Sequence, residues 1–145
     1  MKLLVQRVLQ ASVEVDQRIV GQIKRGLLVF LGIEKGDSRE QAYFLARKLI
    51  RLRIFEDEQA KMNLSVQDIH GELLVISQFT LAADTSRGNR PGFEHAENPV
   101  EAEAMYSYFL DQLKLLEIMP QTGIFQADMK VSLINDGPAT FLLEK

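Results

Sequence analysis

The groups best placed to do chemistry in this chain fall in two short segments, Ser77-Gln78-Phe79-Thr80-Leu81 and Asn135-Asp136-Gly137-Pro138-Ala139-Thr140. The first puts two hydroxyls and an amide where an apolar strand runs out into a long loop, a place where backbone N–H groups and side-chain oxygens converge on a ligand. An ordinary polar strand end has the same composition. The second joins Asn-Asp-Gly to a proline and, taken alone, reads as a hairpin turn between two strands. Neither histidine, His70 or His95, stands in an HExxH spacing; there is no cysteine, and GxGxxG, Walker A and GxSxG signatures are absent. No metal, cofactor, thiolate or serine triad is expected. A catalyst built here must work mainly through positioning and backbone donors.

The elements that would hold these segments follow from the apolar pattern. Leu3, Val5, Val13, Val15, Ile19 and Ile23 recur at strand spacing, residues 26–34 form a continuous apolar run, and polar breaks at residues 16–18 and 24–26 suggest a meander. Asp37 stands three residues before Glu40, a capping-box spacing, and Ala42, Leu45, Leu49 and Leu52 follow at helical intervals, so a helix is predicted over 38–52. Ile54 and Phe55 resemble a short strand before an exposed loop, and residues 72–81 return to a strongly apolar strand. Residues 83–93 are rich in Gly, Pro, Asn and Ser and should form a long surface loop. Asn98, Pro99 and Glu101 start a second helix running to about Leu116, with an apolar stripe of Ala102, Met105, Phe109, Leu113 and Leu116. Ile124, Ala127, Met129, Val131 and Leu133 then lead to a turn at 135–138 and a last strand over 139–143. The expected fold class is α/β in the broad sense, a strand-rich α+β single domain over 1–145 with a β-sheet or barrel-like core and two main helices.

A chain of 145 residues, 46% hydrophobic, suits one domain with a real core. No apolar stretch approaches the roughly 18 residues of a membrane span, and Arg7 interrupts the only apolar run near the start, so a cytoplasmic location is expected. The net charge of −3 argues against a polyanionic partner, yet Arg39, Arg47, Lys48, Arg51 and Arg53 face only Glu40 between residues 39 and 53. That run is either a solvated helix face or, with Arg87 and Arg90, a surface that tracks phosphates.

Together, at this separation and in this order, SQFTL, the NxGPxT segment near the C-terminus and the opening MKLLVQRVLQASVEV resemble the D-aminoacyl-tRNA deacylase (D-tyrosyl-tRNA deacylase) family across essentially the whole chain. The resemblance implies a homodimer with its active site at the subunit interface, where a cis Gly137-Pro138 of one subunit enters the partner's pocket and rejects L-aminoacyl groups. It implies Ser77, Gln78, Phe79 and Thr80 as pocket residues. It implies hydrolysis of the ester of D-aminoacyl-tRNA as chiral proofreading in translation, with glycyl-tRNA, including glycine misattached to alanine tRNA, as a second substrate. Arg7 either holds the Gly-Pro segment or is a surface charge beside the first strand. The family usually has valine after this proline where this chain has Ala139, which bears on local packing. A non-catalytic RNA-binding dimer using the basic 39–53 face is the competing expectation.

Overall fold

In a computed structural model describing residues 1–145, strand β1 (Lys2–Val15) organises the fold by pairing with three others. Its outer half forms a hairpin with β2 (Arg18–Ile23), closed by Asp16 and Gln17 at φ of 49° and 62°, the positive values a two-residue hairpin turn requires. Its first half pairs antiparallel with β3 (Gly26–Gly32), which in turn pairs parallel with β6 (Glu72–Ser77). The expected meander is therefore corrected: β3 lies against β1 and β6, not β2. The apolar run of β3, buried along nearly all its length, needs a partner on both edges.

Between β3 and β6 come α1 (Arg39–Ile50) and a small hairpin of β4 (Phe55–Glu56) and β5 (Met62–Leu64). The loop expected after Phe55 thus contains a strand, with Asp57 taking the N–H groups of Gln59 and Lys61. Helix α2 (Pro99–Leu115), β7 (Gln121–Thr122) and β8 (Lys130–Glu144) complete the chain. Strand β7 joins β6 in parallel and also approaches β2; a Cβ on Gly21 would meet the Thr122 carbonyl at 2.5 Å, so glycine lets the sheet curl nearly shut.

The curled sheet has two cores. Leu27, Val29, Leu31, Leu73 and Val75 point outward to α1 and α2, while Leu28, Leu74 and Ile76 point into the barrel with Val13 and Ile23. Along β1 the odd residues Leu3 and Val5 face the helices but Ala11 and Val13 face the barrel. The irregular pairing with β8 between Gln6 and Gln10 makes that exchange.

Both helices form where expected, with details that differ. Ser38, not Asp37, caps α1, exchanging hydrogen bonds with Gln41; Asp37 instead takes the Glu34 N–H at 2.7 Å. Asn98 caps α2 and Pro99 opens it, but Tyr106, absent from the expected stripe, is buried beside Phe109 and Leu113, its hydroxyl donating to the Val75 carbonyl at 2.8 Å. No helix is long and apolar enough to cross a membrane.

The largest correction is at the C-terminus. Residues 135–138 are not a hairpin turn: β8 runs through them without reversing and pairs antiparallel with β1 on both sides, Ile134 with Gln10 before and Thr140 with Gln6 after.

Candidate active site

Strand β6 ends at Ser77, earlier than the expected 81, because Phe79–Ala82 wind into a single 3-10 turn. The Gln78 N–H still pairs with Leu31, and the turn's own bonds begin with the Leu81 N–H donating to Gln78, so the N–H groups of Phe79 and Thr80 precede the first bond inside the turn. The Gln78 side-chain amide donates to the Thr80 hydroxyl at 2.5 Å. Phe79 is 60% exposed and leans on Phe93 with ring centroids 5.1 Å apart.

This turn borders a cleft of about 690 Å³ at the C-terminal ends of β3 and β6. Ser77, Gln78 and Phe79 line it; Thr80 does not. The opposite walls are the start of α2, with Glu97, Pro99 and Ala102, and the segment from Phe125 to Met129 with Val131. Sequence reading missed both walls. The helix start carried a signal in its Asn98 cap, but nothing in residues 125–131 set them apart from an ordinary strand, and Gln126 turns there at a φ of 62°. The carboxylate of Glu97 is engaged by the Asn98 backbone and side chain, and that of Asp128 by Lys130. Neither histidine borders the cleft. No group of three or more metal-ligating side chains occurs in the chain.

Gly137 and Pro138 lie at the other end of the sheet. Their neighbours on β1 pair with Gly26 and Leu27, whereas Ser77 pairs with Leu31; four to five strand residues, about 13–17 Å, separate the two levels. The Gly137-Pro138 peptide bond is cis. Arg7, far from being a surface charge, is 5% exposed. Its Nε donates to the Asp136 carbonyl at 2.9 Å and pairs with the Asp136 carboxylate at 3.1 Å, and its Nη1 donates to the Ile54 carbonyl. Asn135 Nδ2 donates to the Arg7 and Ala139 carbonyls, both at 3.4 Å, and Ala139 is buried. A Cβ on Gly137 would collide with the Asn135 Oδ1.

The fold and the site together define a strand-rich α+β protein whose cleft is edged by a hydroxyl and an amide and bordered by neither histidine. Comparison gives the family: the chain matches the model for D-Tyr-tRNA(Tyr) deacylase over residues 4–144 and belongs to that family. It is 59% identical over 144 residues to the D-aminoacyl-tRNA deacylase of Geotalea uraniireducens (strain Rf4), covering 99% of this chain and 93% of the relative. Among solved structures it matches the c-Myc DNA Unwinding Element Binding Protein at a TM-score of 0.94 and 42% identity, covering 100% of this chain and 99% of that one. A structure described as a probable eukaryotic D-amino acid tRNA deacylase shares the fold at a TM-score of 0.82 and 15% identity, over 98% and 97% of the two chains. Membership of a deacylase family makes the chain an enzyme, a hydrolase, as the resemblance implied.

Proposed function

We propose that the protein hydrolyses the ester joining a D-amino acid to tRNA, releasing the free amino acid and intact tRNA, in the cytoplasm where charged tRNA is used. The observation that carries this reading is the cleft beside Ser77-Gln78-Phe79, in a chain whose relatives bear that activity in their names. An aminoacyl ester is activated already, so stabilising the developing oxyanion matters more than a strong nucleophile; the N–H groups of Phe79 and Thr80 are the candidate donors. Water attacks in this reading, helped by the neighbouring ribose hydroxyl.

Selectivity is assigned to Gly137 and Pro138. Since they stand about 13–17 Å along the sheet from their own cleft, they serve the cleft of a second copy in a two-fold dimer. The unpaired edge of β8, 15 residues long with Leu133, Ile134 and Leu142 exposed, supports such an interface, because a long apolar edge strand left open invites pairing. Arg7 then acts as a positioning residue that fixes the loop through Asp136. Backbone carbonyls at Gly-Pro exclude the side chain of an L-aminoacyl group; glycine, with no side chain, escapes that filter, so glycyl-tRNA is a second substrate. The test is to incubate purified protein with D-tyrosyl-tRNA and L-tyrosyl-tRNA. Selective release of D-tyrosine is expected; equal release, or none, overturns the reading.

A further inference from the structure

We propose that the cationic groove on the outer face of α1 binds the phosphate backbone of tRNA, and that it serves the partner's cleft, not its own. The proposal rests on the reading above for its substrate.

The groove, about 690 Å³, is lined by Arg47, Lys48, Arg51 and Arg53 and by the rings of Tyr43 and Phe44, which are 42% and 46% exposed. Helix α1 turns Ala42, Leu45, Ala46, Leu49 and Ile50 to the core, which leaves Arg47 and Lys48 on its free side, with Arg51 at its C-cap and Arg53 just beyond. None of the four is in a salt bridge, and Glu40 is the one acid in the lining. Outside the groove, Asp68 feels Arg53, though its carboxyl is held below the usual range chiefly by the Ser65 hydroxyl and N–H. Arg47 donates to the Tyr43 hydroxyl at 3.4 Å and lies over its ring at 5.5 Å. On a chain of net charge −3, an unpaired cluster of one sign is complementary to a polyanion. Residues 47 and 51 stand one helical turn apart, about 6 Å along the axis, comparable to the step between successive phosphates of a strand. Exposed rings among the cations add faces for ribose or base.

The location decides which cleft the groove serves. Helix α1 begins at the cleft end of the sheet, where Lys35 pairs with His95 and Glu34 with Ala96, and runs 12 residues, about 18 Å, away from it. Its last turn reaches the Gly-Pro end. Arg53 directly precedes Ile54, whose carbonyl takes the same Arg7 guanidinium that holds Asp136. Groove and Gly-Pro segment are therefore tied together as one unit. When Gly137-Pro138 of one subunit enters the partner's cleft, its groove comes alongside, and a tRNA with its aminoacyl end in that cleft meets cations from the subunit that supplied the filter.

The variant with alanine at Arg47, Lys48, Arg51 and Arg53, all surface positions, should bind uncharged tRNA about tenfold more weakly, with a salt dependence of binding shallower by about 0.7–0.9 per lost phosphate contact. KM for full-length D-tyrosyl-tRNA should rise about tenfold, while turnover of 3′-D-tyrosyl-adenosine, too short to reach the groove, should hold; lysine at 47, 51 and 53 should largely restore tRNA binding. Unchanged tRNA binding, or an equal loss on the short ester, overturns the groove, as does weaker binding to phosphatidylserine vesicles with tRNA binding intact. Normal tRNA binding without ester hydrolysis by the wild-type protein would instead sink the deacylase reading alone. A hybrid dimer of one wild-type chain and one chain bearing the groove substitutions plus Gly137→Val tests the crossing: half the wild-type kcat at wild-type KM is expected, and a raised KM shows that each groove serves its own cleft.

Discussion

At the scale of single residues, the bond from the Gln78 amide to the Thr80 hydroxyl is the informative contact. A nucleophilic threonine needs a base to take its proton, and its partner here is a carboxamide, which is not one. Thr80→Ala should therefore keep hydrolysis within about tenfold of wild type, inside the range a lost positioning hydrogen bond allows. A D-aminoacyl-tRNA ending in 2′-deoxyadenosine, charged on its 3′-hydroxyl, should be cleaved poorly. A trapped aminoacyl-Thr80 ester, or normal cleavage of the deoxy substrate, would return the chemistry to the side chain. Gly137 yields a second expectation, because a Cβ there meets the Asn135 side chain that bridges the Arg7 and Ala139 carbonyls. Gly137→Val should displace the loop and lower turnover of D-tyrosyl-tRNA by about 10²-fold, the scale of a 1 Å misplacement. Steady-state rates on both enantiomers would show it, and unchanged rates with L-tyrosyl-tRNA still rejected would remove the loop from the mechanism.

Among the elements, α2 is bound to the sheet by Tyr106, whose burial raises its hydroxyl pKa to about 12. An unfolded tyrosine ionises near 10, so the folded state holds its proton more tightly. The associated stability is complete below pH 10 and lost as pH rises from there through about 12. Tyr106→Phe should cost about 1 kcal/mol at neutral pH through the lost bond to Val75 and flatten the urea midpoint between pH 10 and 12; a midpoint that still falls as in wild type would assign the alkaline loss elsewhere. Tyr106 also marks the limits of sequence reading. The helices were legible because Asn98, Pro99 and the spacing of Leu45, Leu49, Phe109 and Leu113 are local signals. Tyr106 lay one position off the assumed stripe, and only the sheet beneath it shows that it faces in. SQFTL was legible as a strand end but not as a 3-10 turn, since Phe79 and Leu81 carry no turn chemistry. The far wall of the cleft, residues 125–131, is assembled by tertiary contact alone. Asn135-Asp136-Gly137 misled for the opposite reason: strong turn propensity is overridden by pairing with β1 on both flanks.

For the whole molecule, the separation of Gly137-Pro138 from the cleft makes assembly a condition of activity under the proposed reading. The solution mass should be twice 16.5 kDa. Ile134→Asp, on the exposed face of β8, should lower that mass and abolish D-tyrosyl-tRNA hydrolysis while leaving the fold intact by circular dichroism. A fully active species of 16.5 kDa would sink the shared site.

The unbroken course of β8 has a further consequence, for which lengths of chain the fold accepts. A segment at a free loop tip tolerates added residues, as the tip beyond the Asp84–Gly92 pair should: one glycine inserted after Gly88, where a Cβ meets nothing within 4 Å, ought to leave the melting temperature unchanged. The same glycine inserted after Ser132 would slip one flank of β8 against β1 and turn alternate side chains to the wrong face. That insertion should cripple folding although it touches no residue of the cleft other than through Val131, which makes the spacing along this strand as much a requirement as the identity of the residues on it.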